Sequence, residues 1–257
     1  MSVARELANL VGTPTNGNIL LQSTAGDALD GTGACNIAMG LNALGAATDN
    51  CDVIAIGNGA FASSVNDGDN NIAIGKTAMG GADVSGTSNI AIGTAAMDAL
   101  TSGATNIALG PNALGQSTTG GCNIALGNGA LGGSDTTGSN NIALGYAAAD
   151  ALTSGACNIA MGINALGAST TGCFNVGIGE TALGTGVVTG QDNIGIGQAA
   201  GEDITSGNYN IAIGRQALVQ ATDNVDNIAI GRDALSSSVN DGAVSYTHLT
   251  LPTNREV

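Results

Sequence analysis

The chain repeats itself at a short, fixed period, and that period restricts the fold more than any other feature. Asn-Ile-Ala-Ile-Gly begins at Asn71, Asn89 and Asn227, and close variants begin at Asn36, Asn106, Asn123, Asn141, Asn158, Asn175, Asn193 and Asn210. One more copy begins at Val53, which takes the Asn place, and a degenerate Asn-Ile-Leu-Leu begins at Asn18. Successive starts lie 17 or 18 residues apart throughout. That is too short for a pair of helices and too regular for a sandwich. It fits one coil of a β-solenoid, whose units bury a core only by stacking on their neighbours.

Each unit reads Asn-Ile-Ala-(Ile/Leu/Met)-Gly-x-x-Ala-(Leu/Met), followed by a polar stretch of Ser, Thr, Asp and Gly. The fifth place is Gly in every full copy from Gly40 to Gly231, and the eighth is Ala from Ala43 to Ala234. Alternation along a strand puts Ile72 and Ile74 on one face and Ala73 on the other. The β-branched Ile suits a strand, and the Gly supplies a bend with unusual φ. A second short extended segment, such as Thr77–Met79, is expected after the bend, and the Ser117–Gly120 and Ser169–Gly172 stretches read as turns. The expected fold is therefore all-β: a parallel β-solenoid of about 13 coils, which at ~4.8 Å per coil makes a rod of roughly 60 Å. Residues 18–243 form the repeat domain, residues 1–17 a non-repeating lead and residues 244–257 a foreign tail.

Opposite the Ile column the third place is Ala, or Gly at Gly177 and Gly195, and never charged. Such a strip either meets the far side of its own flattened coil or meets other chains. The second is the expectation here, because so short a coil encloses little core of its own.

Composition narrows function. The chain has 257 residues, 42 of them Gly, no Trp, five Phe plus Tyr, and a net charge of −15. Nucleic-acid binding needs a basic surface with stacking aromatics, and neither is available, so no nucleic-acid partner is expected. No run of 18 apolar residues is present, so no membrane insertion by a helix is expected. Catalytic, metal and cofactor sites are all read as none. The only His, His248, lies in the tail, which removes Ser-His-Asp, Cys-His and His-metal arrangements. Asp67, Asp69, Asp83, Asp135, Glu180, Glu202 and Asp203 fall in variable turns and read as solvated charge. Asn66–Asp69 and Asp223–Asp226 lack the spacing of a calcium loop. Cys35, Cys51, Cys122, Cys157 and Cys173 each lie one or two places before a unit start. Cys35 with Cys51, and Cys157 with Cys173, fall on adjacent coils, within disulfide reach. Their odd count favours small, unpaired side chains in one column. Lys76, Arg215 and Arg232 share the first place after the Gly. Phe61, Tyr146, Phe174 and Tyr209 are spread over separate coils and read as local cover; no receptor-binding residue is assigned.

The recurring unit resembles the head repeats of trimeric autotransporter adhesins. More closely still, it resembles the longer-period repeats of phage tail fibres, in which Thr-Thr-Gly turns separate the units. The resemblance spans Asn18 to about Gly242 and implies a left-handed β-roll, a homotrimer and a non-enzymatic role in a fibrous attachment protein. Three roles follow as expectations: a tail-fibre segment on a virion that gives a rigid rod and touches a host surface; the head of a bacterial surface adhesin; or an ice-binding solenoid, which would need a regular Thr array. Met1–Thr15 lacks the apolar core of a secretory signal, which favours the fibre, and Val3–Val11 reads as a short helix. Val244–Val257 resembles the in-frame translation of a sequencing adapter, so the natural chain is expected to continue past residue 243.

Overall fold

The computed structural model describes residues 16–29, 32–65, 68–237, 242 and 244–246. The expected helix at Val3–Val11, Asn66, Asp67 and His248 lie outside them.

Fourteen strands of three residues each, β1 (Ile19–Leu21) to β14 (Val244–Tyr246), stack in chain order into one parallel sheet. Register is constant: Ile37 pairs with Ile54, Ala38 with Ala55 and Met39 with Ile56, and the same three columns run along the rod. The expected parallel β-solenoid is the fold observed. The register also continues one rung past the last full copy, since Ile228 of β13 (Ile228–Ile230) faces Val244 of β14.

Two expectations are corrected. First, the inside and outside of the strand are the reverse of the oligomer reading. The third-place residues Ala38, Ala55, Ala73, Ala91, Ala108, Ala125, Ala143, Ala160, Ala212 and Ala229 are fully buried inside a single chain. The second- and fourth-place aliphatics point outward. The coil is so narrow that only a methyl fits inside. At Gly177 and Gly195 even that is crowded, since an added Cβ would stand 2.9 Å from Ala182 O and 2.7 Å from Ala200 O. Second, Thr77–Met79 is not extended. Thr77 (φ 53°) and Met79 (φ 48°) adopt the left-handed conformation, as do the seventh and ninth places of the other full coils. Bulky residues rarely accept it. Here the coil-to-coil hydrogen bonds impose it: Thr77 N–H donates to Asn58 O one coil back and Met79 N–H to Ala96 O one coil ahead.

The ninth-place side chains, Leu44, Phe61, Met79, Met97, Leu114, Leu131, Leu166, Leu183 and Leu218, fill the interior beside the Ala columns. A further buried column comes from the turns. Leu100, Leu152 and Ile204 alternate there with the smaller Ser117, Thr136, Ser169, Val188 and Ala221, so large and small side chains interdigitate. The buried hydroxyls are satisfied by the next coil, as Ser117 Oγ donates to Thr136 O at 2.7 Å and Thr136 Oγ1 to Leu152 O at 3.0 Å.

The recurring Asn has a double task. Asn106 N–H donates to Asn89 Oδ1 at 2.9 Å, which ties each coil to the one before. Its Nδ2 donates to Gly120 O at 2.8 Å, which closes its own coil. Only a buried amide offers donor and acceptor at that reach. At Val53 the ladder is broken, because Val53 N–H still donates to Asn36 Oδ1 but has no side-chain oxygen to pass on.

Candidate functional site

With the interior closed within one chain, the outer face of the sheet has no partner among the described residues. From Ile37 to Ile230 its two columns hold only Ile, Val, Leu and Met, with no polar residue at either place. Met39, Ile92, Leu109, Met161, Ile196 and Ile213 are exposed along it, and Leu41, Tyr146 and Ile163 extend it past the Gly bend. Two columns about 7 Å apart over some 60 Å give a strip on the order of 400 Å². That is the size of the largest apolar patch on a typical monomer, roughly 300–600 Å², which is often functional. The two strand columns carry no charge; the place just past the Gly bend is mixed, holding Lys76, Glu180, Arg215 and Arg232 beside Leu41, Tyr146 and Ile163.

The turn carboxylates have a structural use that the sequence reading missed. Asp69 Oδ1 accepts from Cys51 N–H at 2.7 Å, and Asp83 Oδ1 from Val65 N–H at 2.8 Å. Asp135 Oδ1 accepts from Thr118 N–H at 2.9 Å and from its hydroxyl at 2.8 Å. Asp203 Oδ1 takes the Thr185 hydroxyl at 3.1 Å. Each side chain thus staples its coil to the one before, capping a backbone or hydroxyl donor that the irregular turn leaves over. Glu180 accepts from Gln198 Nε2 at 3.0 Å, and Glu202 uses its backbone carbonyl, which takes the Thr185 hydroxyl at 3.1 Å.

Asp98 and Asp150 were not singled out in the sequence, although they stand 52 residues apart at equivalent places in a three-coil set. Burial pushes both carboxyls above the usual range, against a smaller downward pull from backbone N–H groups of Gly81 and Gly80 on Asp98 and of Gly133 on Asp150. Asp98 Oδ1 is buried without a hydrogen-bond partner. A carboxyl whose folded pKa is raised binds more protons in the folded state, so stability falls as pH rises from the ordinary aspartate range through the raised value. Asp98→Asn is therefore expected to raise the thermal midpoint at pH 7 and to lose that advantage near pH 3. The gain is below about 1 kcal/mol, given the partial solvation of the site. Paired melts at the two pH values check it.

The remaining predicted residues are not brought together into a site. Lys76, Arg215 and Arg232 are exposed, and Arg232 Nε meets its own neighbour Asp233 at 3.2 Å. Among the described residues no three His, Cys, Asp or Glu gather as metal ligands, and Asp223 and Asp226 both face outward. All five cysteines are free. Cys35, Cys122 and Cys157 stand immediately before the coil start and Cys51 and Cys173 one place earlier, so they occupy two neighbouring columns rather than the one expected. Threonines do stack in the turns, and Thr48, Thr101, Thr153 and Thr205 give their hydroxyls to Val65, Thr118, Thr170 and Thr222 carbonyls at 2.8–3.0 Å. No helix among the described residues is long and apolar enough to cross a membrane. Comparison of the chain with protein-family models, with curated proteins and with solved structures finds no match.

Proposed function

We propose that this chain is a structural rod segment of an attachment fibre, without catalytic activity, which self-associates through the outer face of its sheet. One observation carries the reading: an uninterrupted aliphatic strip runs the length of a solenoid whose interior is already complete. Apolar area of that extent is stabilised by burial at about 25 cal/mol per Å². A second copy of the same rod offers a strip of equal length, the same coil spacing and strand columns without a charged side chain. A closed symmetric assembly covers the strip on every member, and the resemblance to fibre and adhesin heads supplies the number three. Constant register between coils supports the mechanical part of the role, because rung after rung repeats the same backbone bonds, with the Asn ladder interrupted at Val53.

A virion tail fibre and a bacterial surface head would use this segment in the same way. The ice-binding alternative has less support, because threonine drops out of several coils and four of the turn threonines give their hydroxyls to backbone carbonyls. Sedimentation velocity on the full chain tests the proposal. The expected result is a discrete elongated species of three chains with no growth into open polymers. A monomer at micromolar concentration would overturn the self-association on which the reading stands.

A further inference from the structure

We propose that Phe174, Asp192 and Tyr209 form a binding subsite for an extended, uncharged oligosaccharide lying along the rod; this deepens the attachment reading and rests on it. The chain has five Phe and Tyr in all. Phe61 is fully buried in the interior, whereas Phe174 and Tyr209 are 55% and 60% exposed. Both stand immediately before the Asn of their coils, Asn175 and Asn210. Phe174 N–H donates to Ala156 O, Asp192 N–H to Cys173 O and Tyr209 N–H to Gln191 O, so the three residues share one column on consecutive coils. Their φ angles are 58°, 57° and 58°, so the backbone launches all three side chains in the same direction.

The fold does not ask for aromatics here. The same place is filled elsewhere by Ser88, Thr105, Asn140 and Asp226. Two large rings thus stand in water on one edge of the rod, where the coil itself asks only for a small or polar side chain. They are two coils apart, about 9.6 Å, with a carboxylate on the coil between them. A pyranose unit in an extended 1,4-linked chain is comparable in length to the coil spacing of ~4.8 Å. Rings at this spacing meet alternate sugars, stacking on their C–H faces. Asp192 sits opposite the intervening sugar as an acceptor for its hydroxyls. Gln191, exposed in the adjoining column, adds an amide, and its backbone is fixed by Asn208 Oδ1, which accepts Gln191 N–H at 2.7 Å.

Charge selects the ligand class. Asp192 and Asp226 flank Tyr209 along the column, and the chain carries −15 overall, which repels uronic acid or sulfated chains. The same two carboxylates argue against a second protein copy as the occupant, because the centre of a protein interface is depleted of charge. The uncharged strip of the strand face suits self-association; this column does not.

The test is calorimetric titration of the full chain with cellohexaose and chitohexaose, and with hexagalacturonate as the anionic comparison. Phe174→Asn and Tyr209→Asn are the variants, since Asn70 and Asn140 already hold this place with φ 58° and 62°. The expected result is a dissociation constant in about the millimolar range for a neutral hexasaccharide. Each variant should weaken it at least about tenfold with an unchanged melting curve, and the anionic chain should not bind. Absence of binding by both neutral hexasaccharides at about 10 mM, or equal binding by the variants, overturns the subsite. Sedimentation of the same samples separates the two readings. Binding by a monomer would sink the fibre assembly and leave the subsite standing, whereas loss of assembly in the asparagine variants would return the rings to the interface and overturn the subsite.

Discussion

Lysine at both Ile92 and Leu109 is expected to break the assembly into single chains while leaving each chain folded. The two residues face each other across β5 (Ile90–Ile92) and β6 (Ile107–Leu109), and both point outward. In an isolated rod they already touch water, so the change costs the monomer about 0.5 kcal/mol or less. In a self-associated rod the two ammonium groups on each chain enter an apolar seam that offers no carboxylate. An unpaired buried charge costs several kcal/mol, and two per chain should weaken association by more than about a thousandfold. Sedimentation velocity gives the mass and circular dichroism the fold. The neighbouring change Ala91→Lys supplies the contrast, since its side chain points into a coil too narrow for it and should prevent folding. If the double-lysine chain sediments as the unsubstituted chain does, the strip is not the seam.

Gly127→Ala is expected to be severely damaging, and Gly129→Ala, two residues on, nearly harmless. Gly127 has φ 139°, and an added Cβ would stand 2.4 Å from Gly145 O and 2.7 Å from Gly145 C, both backbone atoms of the next coil. Neither can move without breaking the ladder, so the expected loss exceeds about 4 kcal/mol, combining a Gly-only conformation with overpacking. Gly129 also has positive φ, at 67°, but a Cβ there meets only Asp150 Oδ1 at 3.9 Å. Ala95 and Ala147 already occupy that place with φ 54° and 49°. In a stacked array a damaged rung separates two otherwise sound blocks. Thermal melting of Gly127→Ala should therefore show two transitions, for the coils before and after the lesion, where Gly129→Ala shows one. A single unshifted transition for Gly127→Ala would contradict this account of the bend.

The difference between those glycines marks where sequence reading stops. Both are Gly in a Gly-rich unit. The recurrence of Gly at the fifth place is legible in the sequence, and its cause is the approach of the next coil's carbonyl, which only stacking creates. The same holds for the left-handed Thr77 and Met79. Ordinary side chains in that conformation carry no composition signal, because hydrogen bonds to the coils on either side impose it. The turn carboxylates illustrate the point again. Asp83 and Asp135 read as scattered acids along the chain, yet each caps a donor 17 or 18 residues away.

The period, the alternation within Asn-Ile-Ala-Ile-Gly and the invariant small residues were sufficient by themselves to determine a parallel β-solenoid and the contents of its columns, because a strand's side chains alternate and identical units stack in register. The tertiary structure alone decided which column faces inward. Alternation is symmetric and assigns two faces without labelling them. The label comes from the width of the closed coil: it admits the methyl of Ala73, with Met79 and the Asn ladder beside it, and turns Ile72 and Ile74 out. That inversion leaves the aliphatic columns, and not the alanines, as the surface to be covered. Stacking also brings Phe174 and Tyr209, distant in sequence, onto one edge of the rod with Asp192 on the coil between them.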